Sequence, residues 1–146
     1  MHEFFTKEQN KKTKEFINLA LEFNKTHNIF VRKDYEEVFQ KDVLDCTPLF
    51  NMIKEQDSVI DLGSGGGFPG IVLAIFLPNN HISLLESSSK KCYFLKTAIE
   101  KLSLKNTTTI NQTIKENNSL GVYDVITARA FAPIKKIIML TKNNTH

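Results

Sequence analysis

Apolar side chains recur at Phe16, Leu19, Ala20 and Phe23, with His27 one turn further on, and lysines and glutamates fill the positions between them. That spacing predicts an amphipathic helix. A second, short helix is expected to begin near Asp34, an N-cap residue, and to bury Val38 and Phe39. Val43, Leu44, Leu49, Phe50 and Ile53 straddle Pro48, which predicts a third helix that starts or bends at the proline. No strand signal precedes Val59. Residues 1–57 therefore read as an N-terminal helical subdomain, too small to be stable without packing on the rest of the chain.

From Ser58 the period changes. Val59-Ile60-Asp61-Leu62 is a short β-rich run that ends in a cluster of glycines, and Pro69 suits a first helical turn. Ile71 to Leu77 is almost wholly apolar, so that helix is expected to be buried, and Pro78-Asn79-Asn80 stops it. Ile82 to Leu85 reads as a second strand, followed by a helix with Phe94, Leu95, Ala98, Ile99 and Leu102 on one face. Thr107 to Ile110 and Tyr123 to Thr127 read as strands three and four, and a last helix after Pro133 carries Ile134, Ile137, Ile138 and Leu140. Strand and helix are expected to alternate four times across residues 58–146. That is the pattern of an α/β, Rossmann-like fold with a doubly wound, mainly parallel sheet.

Composition narrows the classes. The chain has 146 residues, 41% hydrophobic and 24% charged, as in an ordinary globular protein with room for one domain and an appendage. No run approaches the roughly 18 uninterrupted apolar residues of a membrane span, and the N-terminus has no signal-peptide core, so a cytoplasmic protein is expected. Cys46 and Cys92 lack CxxC spacing and read as reduced thiols. His2, His27, His81 and His146 are scattered, and no metal site is expected. The net charge of +3 divides into −2 over residues 1–58 (nine Lys/Arg, eleven Asp/Glu) and +5 over residues 59–146 (ten and five). A basic second part favours a polyanion through counterion release, although a solvated lysine surface accounts for the charge equally well.

Five of the six glycines lie between Gly63 and Gly70, so the backbone there must turn tightly or approach a ligand closely. Two registers are available. Gly65-x-Gly67-x-x-Gly70 satisfies a dinucleotide fingerprint, with pyrophosphate on the helix N-terminus. Asp61-x-Gly63-x-Gly65-x-Gly67, with Ser64 inside it, is the pattern of a loop that binds S-adenosylmethionine. Asp61 would repel a pyrophosphate but suits a sulfonium and an ammonium, and Pro69 removes a donor that a phosphate would want. The methyl donor is favoured. Glu86 closes the second strand, where an acidic side chain can accept hydrogen bonds from both ribose hydroxyls; a solvated carboxylate or a charge at the next helix start, near Ser87 to Ser89, is the bland alternative.

The run Ile60-Asp61-Leu62-Gly63-Ser64-Gly65-Gly66-Gly67-Phe68-Pro69-Gly70-Ile71 resembles the signature of the glucose-inhibited division protein B family. These are the bacterial RsmG methyltransferases, which modify guanine at nitrogen 7 in 16S ribosomal RNA. Leu84-Leu85-Glu86-Ser87 with Lys90-Lys91 and Phe94-Leu95 resembles a second block, and Asp124 to Ala132 a third. Phe23-Asn24-Lys25 with Asn28-Ile29, and Leu44-Asp45-Cys46, are weaker echoes. The resemblance implies a class I methyltransferase fold with S-adenosylmethionine as cofactor. It places donor contacts at Gly63 and Phe68, and at Ile114 and Lys115 near the adenine. It also gives Arg129, otherwise a surface residue at a strand end, a role toward the donor's carboxylate or the guanine. The implied partner is 16S ribosomal RNA or the small ribosomal subunit; separately, a monomer is expected.

Three departures stand out. Thr113-Ile114-Lys115 replaces an expected Arg-x-Glu element, and Asp42 stands where the family usually has histidine. The family's fold uses seven strands, of which four are expected here. A cofactor- or RNA-binding domain without turnover, a small-molecule methyltransferase and a nicotinamide-dependent oxidoreductase are therefore the competing readings. Nitrogen 7 of neutral guanine has an in-plane lone pair and no proton to lose, so no catalytic acid or base is expected; Asp61, Glu86 and Arg129 are positioning groups. Lys90, Lys91, Lys101 and Lys105 are candidate phosphate contacts. Ile137-Ile138-Met139-Leu140, beside an uncovered fourth strand, is a candidate self-association surface.

Overall fold

The computed structural model describes residues 2–146. Helix α1 (Lys7–His27) starts well before the apolar spacing, at a capping box in which Thr6 accepts from the Gln9 amide (3.1 Å) and Gln9 accepts from the Thr6 amide (2.9 Å). It buries Phe16, Ile17 and Ala20. Asp34 caps α2 (Tyr35–Val38) by accepting from the Glu37 amide at 3.0 Å. The next two helical stretches are a π turn (Phe39–Val43) and a 3-10 segment (Leu44–Asn51) containing Pro48, so the expected second and third helices form one run of changing pitch.

Four strands come next: β1 (Ser58–Leu62), β2 (His81–Leu85), β3 (Thr107–Ile110) and β4 (Val125–Ala128). They form one parallel sheet in the order β3-β2-β1-β4. Helix α3 (Gly70–Phe76) joins β1 to β2, α4 (Ser89–Lys101) joins β2 to β3, and α5 (Ile134–Thr141) comes after β4. The expected alternation fails at one place. Residues 111–124, between β3 and β4, contain no helix. That stretch has no apolar stripe, and asparagine side chains hold it instead: Asn118 donates to the Lys115 carbonyl (2.7 Å) and Asn144 to the Gly121 carbonyl (2.7 Å).

Alternating strand residues feed two cores. Val59, Ile82 and Leu84 meet α1, α3 and α4, where Phe16 and Phe94 are fully buried with ring centroids 6.2 Å apart. Ile60, Leu62 and Leu85 meet Ile114 and Leu140 on the other face. Among the described residues, 2–57 have no core of their own, since Phe16, Ile17 and Ala20 share one with Ile71, Leu73 and Phe94. Both free cysteines, Cys46 and Cys92, are buried. Among the described residues no helix is long and apolar enough to cross a membrane.

Candidate functional site

The register aligns the carboxyl ends of all four strands: Leu62 pairs with Leu85 and Ala128, and Leu85 with Ile110. The next residue of each strand, Gly63, Glu86, Asn111 and Arg129, therefore rises from one edge of the sheet. The order reverses between β1 and β4, and ligands of open α/β sheets bind at such a point.

Gly63 leaves β1 with its amide on the Leu85 carbonyl (2.8 Å) and a φ of +65°, and a β-carbon there would lie 2.5 Å from the Phe131 ring. Ser64 is buried; its amide donates to the Leu85 carbonyl (3.1 Å) and its hydroxyl to the Asp61 carbonyl (3.1 Å). The Gly65 amide donates to Glu86 Oε1 (2.8 Å), and the Ser88 amide donates to Glu86 Oε2 (2.9 Å). One carboxylate thus ties the glycine loop to the start of α4; Glu86 is 7% exposed and, like Asp61, is not among the residues that line the hollows at the loop. Gly67 serves packing: with φ +97°, a β-carbon would lie 2.7 Å from the Phe16 ring. Phe68 packs on Phe16 at 5.1 Å between centroids.

Asp61 is 1% exposed and lines no hollow at the loop. Its Oδ2 accepts from the Gly70 amide (3.1 Å) and its Oδ1 from the Thr127 hydroxyl (2.8 Å). Burial pushes this carboxyl up to about 6, and the hydrogen bonds from Thr127 and Gly70 offset only part of the rise. The carboxylate occupies the start of α3, where a dinucleotide site would place its phosphate. Gly70 donates to Asp61, the Ile71 amide is taken by the Gly67 carbonyl (2.8 Å), and Pro69 has no N–H. The first two amides of the helix are taken and the residue before them has none, so the dinucleotide register is disfavoured on structural as well as sequence grounds.

Two hollows meet at Gly63. One, of about 210 Å³, is lined by Leu85, Thr113, Ile114, Phe131 and Leu140 among others. Ile114 points into it, whereas Lys115 is exposed and lines neither hollow. The second, of about 370 Å³, is lined by Gly63 to Gly66, Phe68, Arg129 and Ala130, and by Ile29, Phe30, Arg32 and Asp42 from the helical segment. A larger hollow of about 530 Å³ between Lys12, Pro78 and Lys105 touches none of the loop residues and lies at the opposite edge of the sheet. Helix α4 also separates the four candidate lysines, with Lys90 and Lys91 at its start beside the site and Lys101 and Lys105 at the far edge.

The strongest feature that the sequence did not announce is an ion cluster. Asp42, 3% exposed, accepts from Arg32 Nε (2.7 Å) and Nη2 (2.8 Å), and Arg129 Nη1 lies 2.8 Å from the same carboxylate. Arg129 Nη2 also donates to the Lys41 carbonyl (3.0 Å). The Asp42 hydrogen bond raises the Arg32 pKa further above its ordinary value. Ala130, next to Arg129, has a left-handed φ of +50°, which turns the chain sharply at the mouth of the hollow. These partners lie far apart in sequence, and the only local signal was Asp42 standing in place of a histidine.

The sequence model of the family described as rRNA small subunit methyltransferase G matches residues 9–146. The chain belongs to that family. It is 35% identical over 127 residues to the ribosomal RNA small subunit methyltransferase G of Hydrogenovibrio crunogenus, covering 87% of this chain and 58% of that one. It is 36% identical over 129 residues to the protein of the same name from Francisella tularensis subsp. novicida, covering 88% and 62%. The chain thus spans about three-fifths of the length of these relatives. Among solved structures it resembles a SAM-dependent methyltransferase from Thiobacillus denitrificans with a TM-score of 0.55, at 17% identity, over 87% of this chain and 50% of that one. That likeness shows the class I methyltransferase fold.

Proposed function

We propose that this protein binds S-adenosylmethionine across the glycine loop and transfers its methyl group to nitrogen 7 of a guanine in 16S ribosomal RNA, acting in the cytoplasm on the RNA or on the small ribosomal subunit. The observation that carries the reading is the start of α3. Asp61 fills it as an internal anion, so the loop suits a cationic ligand without phosphate. The rest of the site fits that ligand. Ile114, Leu85 and Phe131 would hold the adenine, and Glu86 would accept from the ribose hydroxyls. Gly63 and Gly65 give the close backbone approach, with Ser64 and Phe68 supporting the loop and Arg129 facing the amino-acid end. The Thiobacillus structure is itself a complex with S-adenosyl-L-homocysteine. The family's description supplies the RNA substrate class.

When bound, the donor supplies an electrophilic methyl on a sulfonium. The chain's own part is to hold that methyl in line with the attacking nitrogen. No side chain is required to take a proton, because nitrogen 7 of neutral guanine attacks through a lone pair that carries none. Lys90 and Lys91, beside the site, would hold RNA phosphates, and the target base must be presented in a loop or splayed strand.

Calorimetric titration with S-adenosylmethionine and with NAD tests the donor, and borohydride–aniline cleavage with primer extension on small-subunit RNA tests the transfer. Binding of the sulfonium compound together with a new cleavage at one guanine is expected. Preference for NAD overturns the donor assignment, and donor binding without a modified guanine overturns the transfer.

A further inference from the structure

We propose that Asp42 is a positioning residue of the donor site, which fixes Arg129 against the 370 Å³ hollow with Arg32 as its counterweight, so that Arg129 receives the donor's carboxylate. This rests on the donor reading above. Three observations carry it. The Asp42 carboxylate is enclosed and touches both guanidiniums, at 2.7 and 2.8 Å to Arg32 and 2.8 Å to Arg129. Both arginines line the same hollow as Gly63 to Gly66. The cluster of one carboxylate and two guanidiniums carries a surplus of one positive charge, and Asp45, 4.0 Å from Arg129, is too exposed to neutralise it.

Two guanidiniums side by side in a half-buried position repel each other, and an anion between them offsets that repulsion. Asp42 provides that anion from below, and the Lys41 carbonyl fixes the second nitrogen of Arg129. A guanidinium has five N–H donors; the two bonds to Asp42 and Lys41 leave Arg129 with donors for a carboxylate. The π turn Phe39–Val43 delivers Asp42 to this place, so the helical segment supplies the wall that faces the amino-acid end of the ligand.

The test compares two ligands by calorimetry on the full chain. S-adenosylhomocysteine carries the amino-acid carboxylate, and 5′-methylthioadenosine has the same adenosine and sulfur without it. Asp42→Asn is expected to weaken S-adenosylhomocysteine about tenfold to a hundredfold and to leave methylthioadenosine within about twofold. Arg129→Gln should show the same selectivity, and the double variant should be no weaker than Arg129→Gln alone, because Asp42 acts through Arg129. If Asp42→Asn does not fold, Arg32→Gln replaces it, with a smaller carboxylate-selective loss expected. Equal loss of both ligands, or additive losses in the double variant, overturns the positioning role. Wild-type protein that binds neither ligand overturns the donor reading itself.

Discussion

The carboxyl group of Asp61 sits at about 6 against an ordinary value of 3.8, and that displacement makes its ionisation a measurable cost. At about 1.4 kcal/mol for each tenfold change, full ionisation in the folded state costs about 3 kcal/mol relative to the unfolded chain. Because the folded value is raised, the contribution is fully favourable below pH 3.8 and is lost as the pH rises through about 6. Between pH 7 and pH 5 the folded protein takes up most of a proton that the unfolded chain does not hold, a gain of about 1 kcal/mol. Asp61→Asn removes this titration and can keep the local bonds. The amide oxygen can accept from Gly70, and the amide nitrogen can donate to Thr127, whose hydroxyl turns to accept. Urea unfolding followed by circular dichroism at pH 5, 6, 7 and 8 measures the difference between the two proteins. The variant should match or exceed the wild type at pH 8, and the wild type should regain about 1 kcal/mol on it between pH 7 and pH 5. The same variant should lower the preference for S-adenosylmethionine over its uncharged thioether product, because the negative field at the loop is gone. A stability difference that is flat over pH 5–7, or that moves the other way, refutes the argument that Asp61 is an enclosed anion.

Gly70→Ala places a β-carbon 2.3 Å from Leu84 Cδ2 and 2.6 Å from Asp61 Oδ2, both buried, and should cost about 2 kcal/mol or more, read as a lower urea midpoint. Glu86→Gln keeps one acceptor where the Gly65 and Ser88 amides need two, and should weaken S-adenosylhomocysteine binding about tenfold or more by calorimetry. Ile134 and Ile138 are 68% and 62% exposed on α5, so Ile138→Lys should change stability by less than about 0.5 kcal/mol, read as an almost unchanged urea midpoint.

The strands and the glycine loop were legible in the sequence because local chemistry sets them. Short, mostly apolar runs end at Gly63 and Glu86, and the apolar run from Ile71 announces a buried helix. Asp34 and Ser88 cap helices as short polar residues do, Ser88 by accepting from the Lys91 amide at 3.3 Å. What could not be read depends on distant partners. Whether Asp61 faces a ligand or the interior is decided by Thr127 and Gly70, and the structure turns it inward. Lys115 and Ile114 are adjacent in sequence yet only Ile114 reaches the hollow, because the loop carrying them is held by asparagine bonds rather than by a periodic element. The change of pitch through Phe39–Asn51 has no periodic signal at all, and with it the placement of Asp42 was invisible.

The helical segment explains why the site has two electrostatic ends. At the sheet's carboxyl edge the strands themselves supply carboxylates, Asp61 beneath the loop and Glu86 beside it, and these suit cations and hydroxyls. A ligand with a carboxylate at its other end needs positive charge in the same groove, and β4 alone gives only Arg129, in a position shared with Asp42. Arg32, Asp42, Ile29 and Phe30 come from residues before the first strand, and they line the hollow together with the loop. Those residues are tied in through the shared core, where Phe68 of the loop packs between Phe16 and Phe30 at 5.1 and 6.1 Å. The aromatic contacts that hold the segment on the sheet therefore also set the distance between the glycine loop and the arginines. The zwitterionic amino-acid end of the proposed donor would need that distance fixed, which is the physical reason to count the segment with the strands in the proposed site.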